Sequence, residues 1–233
     1  MISPGLEEQS VEQRRPVPRA PLLWLTGGMA GWVLFTAVYL IERATRPGYD
    51  SWQQAISTLS LGPGGWIQQA NFIGLGLVTL GLAVVWRGIL KGGVGATWYP
   101  IIRGIEGLSL IRIGFFSTDP APGYPPGTAT TGQFATAHGV IHFSFLFLII
   151  GAMMIGLFVM ARRFWGDPRW RGWVFYSVAS GILINVFIAL FGVANSRHFE
   201  YAGVLERLAT NVETIWGLVL LARLWAGARF FSG

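Results

Sequence analysis

The chain has 233 residues, 52% of them hydrophobic and 12% charged, with a mean hydropathy of +0.51 and a net charge of +6. Several apolar stretches of about 20 residues exclude an ordinary soluble domain and indicate an all-α polytopic membrane protein. There is no cysteine, so disulfides, thiolate nucleophiles and Cys-ligated zinc or iron–sulfur sites are excluded, and any metal must be held by His, Asp or Glu.

Residues 1–20 carry Glu7, Glu8, Glu12, Arg14, Arg15 and Arg19 with three prolines, the pattern of a polar tail. The remainder, 21–233, is expected to form one transmembrane domain. The first apolar run, 22–41, is too long for a removable signal peptide and has no small-residue cleavage site before Glu42 and Arg43. It is expected to remain as the first span, with Gly27 and Gly31 as a weak GxxxG packing pair. In the next segment, DSWQQAISTL, residues Trp52, Ile56 and Leu59 share one helical face, which predicts a short interfacial helix.

Further spans are expected at 66–88, 99–117, 134–162, 173–194 and 204–225, separated by short connections rich in Gly, Pro, Asn and Asp. Short loops predict antiparallel neighbours in a single six-helix bundle. In the third span, Arg103 and Glu106 are three residues apart and predict an internal ion pair. Arg112, about two turns below the span's end, is too deep to snorkel and is expected to pair with Asp119, Glu206 or Glu213. Most of the 11 tryptophans flank spans, as an aromatic belt requires.

With the N-terminus inside, 11 Lys and Arg residues fall on the cytoplasmic side and 4 on the other (Arg43, Arg46, Arg197 and Arg207), which predicts that both termini are cytoplasmic in a plasma-membrane protein. Since these cations sit at helix ends and not in one soluble patch, no nucleic-acid partner is expected, and the partners are membrane lipids. The outer side then receives Asp119, Glu206 and all three histidines.

His138 and His142 lie four residues apart on one stripe of the fourth span, Asp119 closes the third, and Glu206, Thr210 and Glu213 form a polar stripe on the sixth. Spans three, four and six can therefore converge on one outward-opening polar cavity, to which Ser57, Thr58 and Ser60 add hydroxyls. Each element also has a plain structural explanation. Histidines join neighbouring membrane helices by hydrogen bonds, Asp119 before Pro120 can cap a helix or shape a loop, Arg207 can snorkel, and Glu206 suits a helix N-terminus.

The segments ISTLSLGPGGW, GFFSTDP, HGVIH and GVLERL together resemble the bacterial and archaeal six-helix membrane proteins grouped as domain of unknown function 998, over about residues 25–225. The most specific elements are the Asp followed by HGxxH and the later G-x-x-E-R, so the resemblance singles out Ser57, Asp119, His138, His142, Glu206 and Arg207. A more distant similarity, carried by a Ser, an Asp and an HxxxH pair, is to membrane hydrolases of the alkaline ceramidase and adiponectin receptor type. That similarity implies an intramembrane zinc enzyme acting on a lipid substrate. In such a site Asp119, His138 and His142 are the zinc ligands, Glu206 shuttles protons, Arg112 or Arg207 stabilises an oxyanion, and Ser57 contacts substrate. Two other classes stay open. A proton- or cation-coupled transporter or channel would use the same residues and continue its polar groups toward the inner side, with Arg103, Glu106 and Asn185 as candidates. A non-catalytic scaffold would need them for packing alone. Haem would require His198 to join His138 or His142, which share one helix.

Overall fold

The computed structural model describes residues 19–129 and 134–230, with side chains from 22 to 129 and from 134 to 227. Residues 1–18 of the expected polar tail lie outside the described residues. Six long helices follow: α1 (Arg19–Thr45), α2 (Gly65–Ile89), α3 (Trp98–Phe115), α4 (Ala137–Trp165), α5 (Arg171–Ser196) and α6 (Ala202–Phe230). Four helical stretches, Leu22–Thr45, Gly65–Ile89, Ala137–Trp165 and Pro168–Ser196, are long and apolar enough to cross a membrane. Each of the other two helices carries a buried cation and a buried carboxyl: Arg103 and Glu106 on α3, and Arg207 and Glu213 on α6. Their low hydropathy reflects polar groups turned toward the bundle interior, where charged side chains of membrane proteins belong.

Each helix packs on its neighbours in the chain, and α6 closes back onto α1, so the six form a ring in sequence order. The α1/α2 seam is joined by Asn71 Nδ2 donating to Phe35 O (3.1 Å), the α1/α6 seam by Tyr39 Oη to Asn211 Oδ1 (3.0 Å), and the α5/α6 seam by Trp216 Nε1 to Ser177 Oγ (3.0 Å). The α2/α3 seam is backbone against backbone. A Cβ on Gly76 would stand 2.6 Å from Gly107 O, and one on Gly107 would stand 2.9 Å from Gly76 O, a small-residue approach of the kind membrane helices use in place of hydrophobic driving force. At the α1/α2 seam the facing glycines are Gly28 and Gly31, against Leu82 and Val78, whereas Gly27 has nothing within 4 Å. The expected Gly27–Gly31 pair is thus corrected by one position.

The ring is plugged at one end. The segment expected as an interfacial helix forms instead a 3-10 turn, Ile56–Ser60, packed against α1, α2 and α6. Ile56 and Leu59 are buried, while Trp52 is 63% exposed, so the three do not share a face. Too short and irregular to lie along a membrane surface, this segment buries its apolar residues by turning into the mouth of the ring. Loops 46–64, 116–129 and 197–201 surround this plugged end; the opposite end carries loops 90–97 and 166–170, with Arg223 stacked over the Trp170 ring at 4.4 Å.

Candidate functional site

The plug is held by the G-x-x-E-R element at the start of α6. Arg207 Nη1 donates to Ser51 O (2.8 Å), Gln54 O (2.9 Å) and Gly203 O (2.7 Å), and Nη2 donates to the Tyr49 hydroxyl. Beside it, Glu206 Oε2 accepts the Ile56 N–H at 2.7 Å. Gly203 completes the element, since a Cβ there would stand 2.3 Å from Gln54 O. Tyr49 donates to Gln54 O and Ala55 O, and burial pushes its phenol above the ordinary range against the opposing pull of the Arg207 charge, so it stays protonated as a donor. Arg46 fastens the far side of the segment through Pro63 O (2.7 Å) and Gly64 O (2.9 Å), and it pairs with Glu42.

The Asp and HGxxH elements form a second latch, between α3 and α4. Asp119 Oδ2 accepts Ala135 N–H (2.9 Å) and Thr136 N–H (3.4 Å), and its Oδ1 accepts the Thr136 hydroxyl (2.6 Å). Thr136 in turn caps α4 by accepting Gly139 N–H at 3.0 Å, which sets the helix start at Ala137, later than the expected 134. His142 is fully buried, with Nδ1 2.8 Å from Phe116 O. A carbonyl only accepts, so Nδ1 carries the proton. The other ring nitrogen, Nε2, is buried and has no hydrogen-bond partner among the described residues. His138, one turn earlier, is exposed and packs edge-on against the Phe116 ring. Among the described residues, no group of three His, Asp or Glu side chains is gathered as a metal ion would require.

Arg112 departs from expectation. It is exposed and lies 5.8 Å over the Phe145 ring, with no ion pair among the described residues. The guanidinium that does find acidic partners is Arg103, whose Nη1 is 2.7 Å from Glu106 Oε2 and 2.7 Å from Glu213 Oε1. The reason is helical phase: nine residues rotate a side chain about 180° around the axis, so with Arg103 facing the ring's centre Arg112 faces away from it. The expected Arg103–Glu106 pair is present, and Glu213 joins it from across the ring. The Trp32 ring covers the guanidinium from α1 at 5.7 Å.

Inside the plugged end lies a cavity of about 230 Å³ lined by Ser57, Thr58, Asp119, Asn195, His198 and Glu206, among others. Thus Ser57, Asp119 and Glu206 share one cavity with His198, whereas Arg207 is turned into the latch. Below it, an apolar cavity of about 80 Å³ has Ser57, Leu146, Phe191 and Glu206 as walls in common with the first, and Glu106 and Glu213 at its far side. A third, of about 20 Å³, lies against Arg103 and Glu213 and shares Trp32 with the second. A fourth, of about 470 Å³, opens toward Arg162 and Arg163 at the opposite end and shares Trp86 and Leu220 with the third. Four cavities therefore follow one another along the ring's axis, with the Arg103, Glu106 and Glu213 cluster between the second and third. Periodicity alone had placed Glu213 on a stripe with Glu206, but not its meeting with Arg103.

Comparison with curated proteins and with solved structures gives no significant match. The family described as protein of unknown function (DUF998) matches residues 29–223, which is most of the chain and includes both latches, the plug and the central ionic cluster, so the protein is a membrane protein of the DUF998 family.

Proposed function

We propose that the protein is a proton- or cation-coupled transport protein of the plasma membrane, with six spans, both termini cytoplasmic and the plugged end outside. The observation that carries this reading is the file of four cavities along the ring's axis, interrupted by one buried ionic cluster. Buried ionisable groups in a membrane interior are costly, and where they line such a route they mark ion or proton relays. Glu206, between the first and second cavities, takes an ion arriving from the vestibule, and the cluster divides the outward half from the inward half. Exchange between the halves then requires Arg103 to change partners. Orientation follows from the Lys and Arg bias.

Charge displacement in proteoliposomes after a step in external pH tests this reading. A transient current above that of protein-free vesicles, reduced in Glu206→Gln, is the expected result. Absence of any protein-dependent charge movement would overturn it.

A second reading, zinc-dependent hydrolysis of a lipid at the vestibule, is favoured by the His142 ring. A backbone carbonyl fixes its tautomer and leaves a buried nitrogen lone pair unpartnered, the usual arrangement of a zinc-binding imidazole. Asp119 and His138 would have to join it, which requires Asp119 to give up part of its cap on α4 and His138 to turn inward. Elemental analysis of protein purified without added metal decides between the readings. Stoichiometric zinc, lost in His142→Ala and kept in His198→Ala, would establish the hydrolase site, and metal-free protein would remove it.

A further inference from the structure

We infer that Glu106 and Glu213 together hold one resident proton, shared under Arg103 at the centre of the ring, and that this proton is the coupling ion. The inference deepens the transport reading and rests on it for the route by which the proton arrives.

The charge inventory is the starting point. Arg103, Glu106 and Glu213 are all buried, and a single guanidinium nitrogen stands 2.7 Å from a carboxylate oxygen of each glutamate. If both glutamates were ionised, one negative charge would be left uncompensated inside a membrane bundle. No other cation of the described residues is there to meet it: the second and third cavities have Arg103, Glu106, Glu206 and Glu213 as their only charged walls. The titratable groups facing the cluster are Tyr99 on α3 and Glu206 on α6, neither of which supplies positive charge. From α1 comes the Trp32 ring, and α2, α4 and α5 contribute uncharged walls such as Leu75, Met153 and Ile188.

The two carboxyls are not equivalent. Glu213 Oε1 accepts a hydrogen bond from Arg103, whereas Glu106 Oε2, although close to the same nitrogen, is out of line for one and has no hydrogen-bond partner. Glu106 is 2% exposed and borders the apolar second cavity. A carboxyl in that setting is the one that takes up a proton: the neutral form avoids the desolvation of a second anion, and Glu213 keeps the ion pair with Arg103. A metal cation fits poorly, because the second cavity offers a sodium- or potassium-sized ion mostly aliphatic and aromatic walls. The step balances simply. A proton reaching Glu206 from the vestibule passes to Glu106, an O–H bond breaking at one carboxyl and forming at the other. That proton then passes from Glu106 to Glu213, its O–H bond breaking at the first carboxyl and forming at the second, as Arg103 shifts its ion pair from Glu213 to the newly ionised Glu106, and Glu213 is left as the proton-carrying group facing the third cavity.

Infrared spectroscopy of the protein in liposomes at neutral pH, compared in light and heavy water, reads this directly through the carbonyl stretch of a protonated carboxyl. The wild type should show the band. Glu106→Gln and Glu213→Gln should each remove one carboxyl's intensity, because either change leaves a matched ion pair with no proton to hold, and Glu206→Gln should keep it. A wild type without the band overturns the inference even if no variant folds, and so does a band lost in Glu206→Gln or unchanged in both of the other variants. A band behaving as expected in a protein that gives no charge displacement would retain the proton site and discard the transport reading.

Discussion

Gly139 and Asp119 occupy one space, for a Cβ on Gly139 would stand 1.8 Å from Asp119 Oδ2. The carboxylate reaches the backbone at the start of α4 only because that first turn has no side chain there. The glycine between the histidines is therefore part of the α3/α4 latch.

Gly139→Ala should expel the Asp119 carboxylate and cost about 2 kcal/mol or more of stability, by steric overlap together with loss of its bonds to Ala135 and Thr136. Gly151→Ala, also within α4 but with nothing within 4 Å, is the matched control and should hold or gain stability. Thermal unfolding in mild detergent compares the two. Equal melting temperatures would exclude the latch.

Arg207 touches three backbone carbonyls and a phenol through one planar group, which an ammonium cannot reproduce. Arg207→Lys should lose about 1–3 kcal/mol, since carbonyls of the plug are left without donors. Faster hydrogen exchange of the amides around Gln54 should accompany the loss. A variant with wild-type exchange in 49–56 would show that the plug is held by packing alone.

The two deep arginines should behave oppositely. Arg103→Leu leaves the negative charge of the buried Glu106–Glu213 pair without its cation and should cost about 3–5 kcal/mol at neutral pH, with partial recovery on acidification as the remaining carboxylate takes up a proton. Arg112→Leu removes only an exposed contact with the Phe145 ring and should change stability by less than about 1 kcal/mol. Unfolding midpoints of the two variants at neutral and acid pH provide the comparison. A larger loss in Arg112→Leu would reinstate the pairing that the helical phase rules against.

Topology can be mapped in the natural cysteine-free background. Thr128→Cys and Ser196→Cys, both exposed at the plugged end, should react in intact cells with an impermeant thiol reagent, and Gly93→Cys at the opposite end should be protected. Reaction at Gly93→Cys with protection at Thr128→Cys would invert the orientation.

Alkaline release of the plug follows from the buried Tyr49 phenol. Its folded-state value is raised, so the stability it contributes is complete below the unfolded tyrosine value of about 10 and is lost as pH rises through the folded value. Tyr49→Phe should remove that alkaline transition while leaving neutral-pH melting lower by about 1 kcal/mol. A transition that persists in Tyr49→Phe belongs to another group.

The helices and their order were legible because burial in lipid demands long apolar runs, and Gly- and Pro-rich breaks separate them. The Asp, HGxxH and G-x-x-E-R elements were also visible as unusual polar residues at helix ends. Their geometry was not. A sequence states that Asp119 and His142 are polar and near one depth, but the partners that satisfy them, the Ala135 and Thr136 amides and the Phe116 carbonyl, are backbone groups without a residue signature.

By itself, the sequence determined the class, the six helices, the absence of cysteine chemistry and the Arg103–Glu106 spacing, all of which depend on composition or on local period. Only the tertiary structure decided which way each helix is rotated. Closure of α6 onto α1 brought Glu213 to Arg103 from across the ring, turned Arg112 outward and drew residues 56–60 into the mouth of the bundle. Rotation is set by packing between helices distant in the chain, because an α-helix carrying polar residues on more than one face satisfies its own backbone bonds equally well at any rotation.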